Sequence, residues 1–448
     1  MLINIHSLIS DVERRVINDR PVHPESLGAH YGFQRNPYDP SPLGTGADDS
    51  LLFVGRDREG SAFRTFLGSF DRGGIVIEGG TGVGKTSFVN VQEFRSGGGR
   101  TPPVLLPTRQ PIQLASTLSP VEFLLSVESN VLSALQHAVP AVTRDPSFRK
   151  LSLAVSQSIL KSRGWELYAA GFGGGSSIET TVSNPLVVLL PSVSDQLDQA
   201  ARLAQKFGVQ RLVINVNNLD VIDPQSLVTF LDLTRDLTLT RAPFLWAFIG
   251  PVGARSLIAQ RTRRVSELFR TDPITLAPLS LEEVQAAIGA RVRRFRSATS
   301  TEAPVSPEVV RLLYATSAGE VRYILNRSTD LLLKTMAEFP TSKVVTKELA
   351  LPMLRRMTAE AIDRLNLSPK QQEVLRKVAK SGPCQPRDFA RFGFASPPAF
   401  LRYLTRFYQL GLVDRRRREN AVVYTPRGDV VIALGEEDSA GARGRPEE

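Results

Sequence analysis

The sequence predicts an α/β fold: a parallel sheet with helices on both faces, then a small helical domain, then a basic winged helix-turn-helix. Three observations predict it. From about residue 53 to 279, short β-rich runs alternate with longer stretches of 3.6-residue apolar spacing. Beyond Leu279 only helical spacing remains, and from Leu367 to Leu434 the pattern reads as three helices and two β-rich runs around a charged turn.

Each element follows in order. Residues 1 to about 20 carry helical periodicity, and the connector PVHPESLGAHYGFQRNPYDPSPLGTGADDS is dominated by turn formers, which predicts an extended path over the surface. GGIVIEGG, PPVLLP, RLVINV, FLWAFIG and DPITLAPL each hold a brief apolar core rich in β-branched or aromatic residues, and are the expected strands. SPVEFLLSVESNVLSALQHAV, PQSLVTFLDLTRDL and SLEEVQAAIGARVRRF are the expected helices. Between about Pro140 and Pro191 the pattern loosens around GFGGGSSIETTVS, read as a hairpin or loop inserted before the RLVINV strand. The expected domains are residues 1–35 (helix and connector), 36–279 (sheet core, with an insertion at about 140–191), 280–366 (helical), 367–435 (winged helix) and 436–448 (a disordered tail).

Bulk composition excludes several classes. At 448 residues the chain exceeds one core, and 42% apolar with 22% charged residues is ordinary for a globular protein rather than a disordered one. No apolar run approaches the ~20 residues that span a bilayer, and the start lacks a basic segment before a cleavable apolar core. A cytoplasmic protein with no membrane partner is expected. One cysteine, Cys384, in a Pro-rich turn and read as structural, excludes an internal disulfide framework, and four scattered histidines argue against zinc. The net charge of +10 is local: Arg355 to Arg427 holds 16 Lys and Arg against 6 Asp and Glu, an excess equal to that of the whole chain. Such a module fits a polyanion.

GGTGVGKTS follows an apolar strand and opens a helix. Gly79, Gly84, Lys85 and Thr86 complete G-x-x-x-x-G-K-[ST], with Gly80, Thr81, Gly82 and Val83 forming the loop and Ser87 following it. Glycines let the backbone curl so that successive N–H groups face phosphates, Lys85 supplies a point charge, and the Thr86 hydroxyl is the Mg2+ ligand. Phosphoryl transfer also needs a carboxylate on the neighbouring strand. Taking RLVINV as that strand puts Asn217 at the magnesium-associated position and Asn218 beside it. Amides accept a hydrogen bond but bring no negative charge, so slow hydrolysis is expected. Three alternatives stay open: Asp220 replaces the missing carboxylate, LVTFLD is the strand with Asp232 at its end, or the two asparagines only cap a loop.

These motifs together resemble the AAA+ ATPases of the origin-recognition and cell-division-control initiator type, with overlap to STAND signalling ATPases. The likeness covers roughly residues 36 to 435. It implies an adenine-contacting segment in NPY (36 to 38) and FVGRDRE, hence Val54, Gly55 and Arg56, and a preference for ATP. RLVINVNNLD resembles the Walker B strand. FLWAFIGP resembles the sensor strand, though without its polar residue. QRTRRVSELF places Arg263 and Arg264 where an arginine finger would reach a neighbouring subunit, which implies self-association. SAGEVRYILN resembles the second sensor of a helical lid, making Arg322 the γ-phosphate candidate.

In the winged helix, Ser368 and Pro369 start the first helix, and SPPAFLRYLTRFYQLG is the third, with Leu401, Leu404 and Tyr408 expected in the core. Arg402, Thr405, Arg406 and Gln409 then form an outward stripe suited to a major groove, with Arg415, Arg416, Arg417 and Arg418 on the wing reaching phosphates. The expected function is an ATP-controlled switch or loader on duplex DNA. The competing expectation is a STAND-like scaffold, as in anti-phage (antiviral) defence, that oligomerises on ATP and controls a partner effector protein.

Overall fold

All five expected strands form, together with a short sixth, in one wholly parallel sheet. In a computed structural model, residues 26–98, 103–108, 110–114, 119–169, 185–219, 222–298, 302–317, 319–418 and 421–434 are described. They make two units: Ser41–Glu283 with Glu320–Arg322, and the remainder, comprising the residues up to Pro40, Val284–Gly319 and those from Tyr323 onward.

In the first unit the strands are β1 (Gly73–Gly79), β2 (Leu105–Pro107), β3 (Ile112–Gln113), β4 (Arg211–Asn217), β5 (Phe244–Gly250) and β6 (Ile274–Leu276). Their order is β2-β4-β5-β1-β6, with β3 also on β4. β2 and β3 share one edge of β4, Leu105 opposite Arg211 and Ile112 opposite Val216. The strands read as apolar runs because both faces are covered. Val76, Leu212, Ile214, Val216, Trp246 and Phe248 face one core, which includes residues of the helices Pro120–Ala138 and Pro185–Lys206. Ile75, Ile77, Val213, Leu245, Ala247 and Ile249 face the other, with Phe63 and Phe66 of the helix Asp57–Ser69 and Phe88 of Lys85–Glu93.

Two expectations are corrected. The RLVINV strand does not neighbour the strand before the phosphate loop, since β5 lies between them. Much of the loosened stretch is helical, in Pro146–Ala169 and Pro185–Lys206. Its glycine-rich piece lies outside the described residues, as do residues 1–25 and the tail after Leu434. Among the described residues no helix is long and apolar enough to cross a membrane.

The second unit gathers the lid helices and the winged helix into one body. Residues 26–40 of the supposed surface connector are built into it, because aromatic residues sit among the turn formers: Tyr31, Phe33 and Tyr38 are buried. The Tyr31 hydroxyl donates to the Leu332 carbonyl (2.9 Å), and the Thr329 hydroxyl donates to the Tyr38 carbonyl (3.1 Å). The winged helix consists of Pro369–Ser381, Pro386–Phe392 and Pro397–Gln409, then β7 (Val413–Arg418) and β8 (Ala421–Pro426) paired antiparallel. Ser368 caps the first helix in a reciprocal box with Gln371. Burial pushes the Cys384 thiol up to about 12, as expected of a structural cysteine.

The closing helix Gly428–Leu434 docks on the lid helices. Nε of Arg355 donates to the Ile432 carbonyl (3.3 Å). Gly428 lies so near Thr316 that a Cβ there would stand 2.1 Å from the Thr316 Cα. Gly428→Ala is therefore expected to destabilise this unit by about 1–3 kcal/mol through overpacking, read as a lower Tm in thermal unfolding.

Candidate nucleotide site and DNA-binding surface

The loop after β1 is shaped by backbone that only glycine adopts freely, with φ of 75° at Gly82 and 90° at Gly84. Gly84 is the N-cap of the helix Lys85–Glu93 and offers no side chain, so the first-turn N–H groups stay open to an anion. Gly79 closes the strand where a Cβ would stand 2.8 Å from the Leu276 carbonyl. The Lys85 ammonium donates to the Gly79 and Gly80 carbonyls (2.9 and 2.8 Å), which holds its charge at the loop mouth. Ser87 accepts from the Leu43 N–H (3.0 Å), a tie that fixes the first helical turn. Thr86 is half-buried on that turn.

Alternation along β4 decides which residues face this helix. Val213 belongs to the core shared with Phe88, so Asn215 and Asn217 point the same way. Asn215 confirms the register by donating from Nδ2 to Oε2 of Glu93, the last residue of the phosphate-loop helix, at 3.2 Å. Asn217 is 7% exposed, and its Oδ1 has no hydrogen-bond partner among the described residues. Asn218 is exposed with φ 64°, a left-handed position that asparagine tolerates, and it ends the strand. Asp220 lies outside the described residues. The LVTFLD alternative is overturned: the segment lies in the helix Pro224–Thr234, and Asp232 is exposed there. On β5, between β1 and β4, Ile249 ends the same face, an apolar residue where a polar sensor was sought.

Two carboxylates here escaped sequence reasoning. Glu78, buried in β1, accepts from the Gly253 and Arg255 N–H groups (3.0 and 2.6 Å) and so anchors the start of the helix Ala254–Arg261. Its signal was a lone charge within an apolar strand. Glu93 is fully buried, and burial raises its carboxyl well above the usual range, offset in part by Asn215. Oε1 of Glu93 and Oδ1 of Asn215 have no hydrogen-bond partner among the described residues.

The remaining candidates fall into three groups. Residues 320–322 lie against the phosphate loop: the Arg322 N–H donates to the Gly82 carbonyl (3.3 Å), and a Cβ on Gly82 would meet the Glu320 side chain at 2.5 Å. The Arg322 side chain is exposed. In the FVGRDRE segment, Val54 is half-buried, Gly55 turns at φ 73° against Glu283, and the buried Arg56 guanidinium donates to the Ala277 and Val83 carbonyls. Arg56 thus tethers the loop to the exit of β6. Arg263 pairs with Glu267 (2.8 Å), and Arg264 is exposed beside it.

On the third winged-helix helix, the buried row is Phe400, Leu404 and Phe407, with Phe392 stacked on Phe400 at 4.6 Å. The reading of Leu401 and Tyr408 as core is corrected: they are 38% and 47% exposed. Apolar residues at 400, 401, 403, 404, 407 and 408 fit two helical phases, and only one of them meets the core. Arg402, Thr405, Arg406 and Gln409 are exposed as expected, and so is Arg415. Arg416, Arg417 and Arg418 continue β7, paired with β8.

No family model and no curated protein matches the sequence. The solved structures it is similar to include the ORC1 protein of Aeropyrum pernix in complex with DNA, at 13% identity over 90% of this chain and 97% of that one, with TM-score 0.46. They also include the ORC2 protein of Aeropyrum pernix in ADPNP–ADP complexes (13%, 90% and 97%, TM-score 0.49) and Cdc6p from Pyrobaculum aerophilum (11%, 86% and 96%, TM-score 0.40). These neighbours are of the Orc1/Cdc6 initiator type that the motifs resemble, while the α/β architecture rests on this chain's own strand order.

Proposed function

We propose that this chain is an ATP-binding switch of AAA+ type that acts on duplex DNA and turns its nucleotide over slowly. The observation that carries the reading is a complete phosphate loop on the sheet face that ends in buried Asn217, whose Oδ1 has no hydrogen-bond partner among the described residues and where a carboxylate would speed hydrolysis. The open N–H groups of the loop and the Lys85 ammonium cradle the phosphates. Thr86 is the residue that would hold Mg2+, and the orphaned Oδ1 of Asn217 suits a hydrogen bond from a metal-bound water. Bound there, the ion supplies positive charge against the phosphate oxygens. Arg322, placed beside Gly82, reads the γ-phosphate, and Arg264 reaches the nucleotide of a second copy.

Output passes through the winged helix. The chain leaves the nucleotide unit directly after Arg322, and the unit it enters carries lid helices and winged helix together. The exposed Arg402, Arg406 and Arg415 make phosphate and base contacts.

The test uses the full chain with fluorescent ATP and labelled duplex. Lys85→Ala is expected to weaken ATP binding at least ten-fold. The double variant Arg402→Glu, Arg406→Glu is expected to lower duplex affinity on the order of a hundred-fold at 100 mM salt and to flatten its salt dependence. ATP binding without salt-sensitive duplex binding would overturn the DNA half of the reading in favour of a protein effector.

A further inference from the structure

Resting on the duplex-DNA reading, we infer that the exposed face of the helix Pro397–Gln409 recognises thymine methyl groups through an apolar row beside its arginine row. The helix carries three parallel rows at the same spacing of i, i+4 and i+7. Phe400, Leu404 and Phe407 are buried in the core, and half-buried Tyr403 packs against the same core beside them. One residue on, Leu401, Thr405 and Tyr408 form a second, exposed row. One further on, Arg402, Arg406 and Gln409 form a third, also exposed. Successive rows are turned by about 100°, so the second and third lie on either side of the line farthest from the core. A helix lying in a major groove presents both rows to base edges at once.

The chemistry of the two rows is complementary. Arginine forks match guanine O6 and N7, and glutamine matches adenine N6 and N7. Apolar side chains and the threonine methyl match the C5-methyl of thymine, which lies in the same groove across from that adenine. Leu401 and Tyr408 have no core role to explain them, and large apolar residues exposed on a functional face mark contact. Pro398, Leu401, Arg402, Thr405, Arg406 and Gln409 line one shallow depression, so the apolar and basic groups converge on a single surface. The surrounding excess of Lys and Arg makes a polyanion the matching occupant.

The test removes only the methyl groups. A duplex is selected from a randomised pool by the full-length protein, then synthesised with each thymine replaced in turn by deoxyuridine, and affinities are compared at fixed salt. Loss of about four-fold is expected at one or more positions, the value of one buried methyl. Leu401→Ala and Tyr408→Ala are expected to bind the thymine duplex more weakly, to stop distinguishing it from the uracil duplex, and to keep the wild-type salt slope. Salt-sensitive duplex binding that is equal for thymine and uracil at every position overturns this inference and leaves the duplex reading standing. No duplex binding at all overturns both, and a protein complex lost in Leu401→Ala would identify that face as a protein-docking surface instead.

Discussion

Asn217→Asp is expected to raise ATP turnover by about ten- to a hundred-fold while leaving ATP affinity within a few-fold of wild type. The amide ends β4 on the face that turns toward the phosphate-loop helix, is buried, and has an acceptor oxygen with no hydrogen-bond partner among the described residues. On the proposed reading, a carboxylate there would add negative charge where a bound Mg2+ would sit, without adding volume. Burial alone would push its pKa upward, as it does for Glu93 on the same side of the sheet, but a bound divalent cation favours the ionised form. Turnover unchanged in the variant would show that the amide is not what stalls hydrolysis. Robust wild-type turnover that disappears in Asp220→Ala would overturn the slow-switch reading and assign the carboxylate to the loop beyond Asn218.

Stability is expected to fall as pH rises from about 5 to 9. Burial raises the carboxyl of Glu93 well above its ordinary 4.5 and that of Glu128 to about 9, the latter opposed by Arg241. Below about 4.5 both carboxyls hold their protons in the folded and unfolded chains alike, so neither contributes a slope. Above that value the unfolded chain releases protons that the folded chain keeps. Each group then costs about 1.4 kcal/mol per pH unit until its folded pKa is reached. Surface carboxylates held low by partners, such as Glu338 beside Arg356, work in the other direction below the ordinary range. Urea unfolding from pH 5 to 9 should show the alkaline decline in wild type and a much flatter profile in the double variant Glu93→Gln, Glu128→Gln. An identical slope in both proteins would mean that neither carboxyl is protonated in the folded state.

What the sequence revealed and what it hid divide by the range of the interaction. The phosphate loop was fully legible because its chemistry is local, nine consecutive residues between a strand and a helix. The five strands were legible because each is an apolar run bounded by turn formers. Their order was not, since whether β5 or β4 lies beside β1 depends on long-range packing. Arg56 illustrates the same limit: its guanidinium spans to Ala277, more than two hundred residues away. Glu93 carries no local signal of its burial, which depends on Asn215 of β4 lying opposite it. In the third winged-helix helix the error had another source. Leu401 and Tyr408 break the binary pattern by lying exposed, as residues of the proposed contact face would, and a functional surface is where pattern reading is expected to fail.

The division of the chain into two units has a topological consequence. The backbone passes between them after Pro40, Glu283, Gly319 and Arg322. Severed after Glu283, the polypeptide would leave two fragments, neither owning a complete unit. The longer would keep Tyr31 and Tyr38, whose partners Leu332 and Thr329 belong to the shorter. The shorter would keep residues 320–322, which lie against Gly82 of the longer. Each piece thus supplies what the other lacks. Co-expressed halves split at that position are expected to copurify as a nicked, reassembled protein, which gives a natural route to segmental labelling of the winged helix.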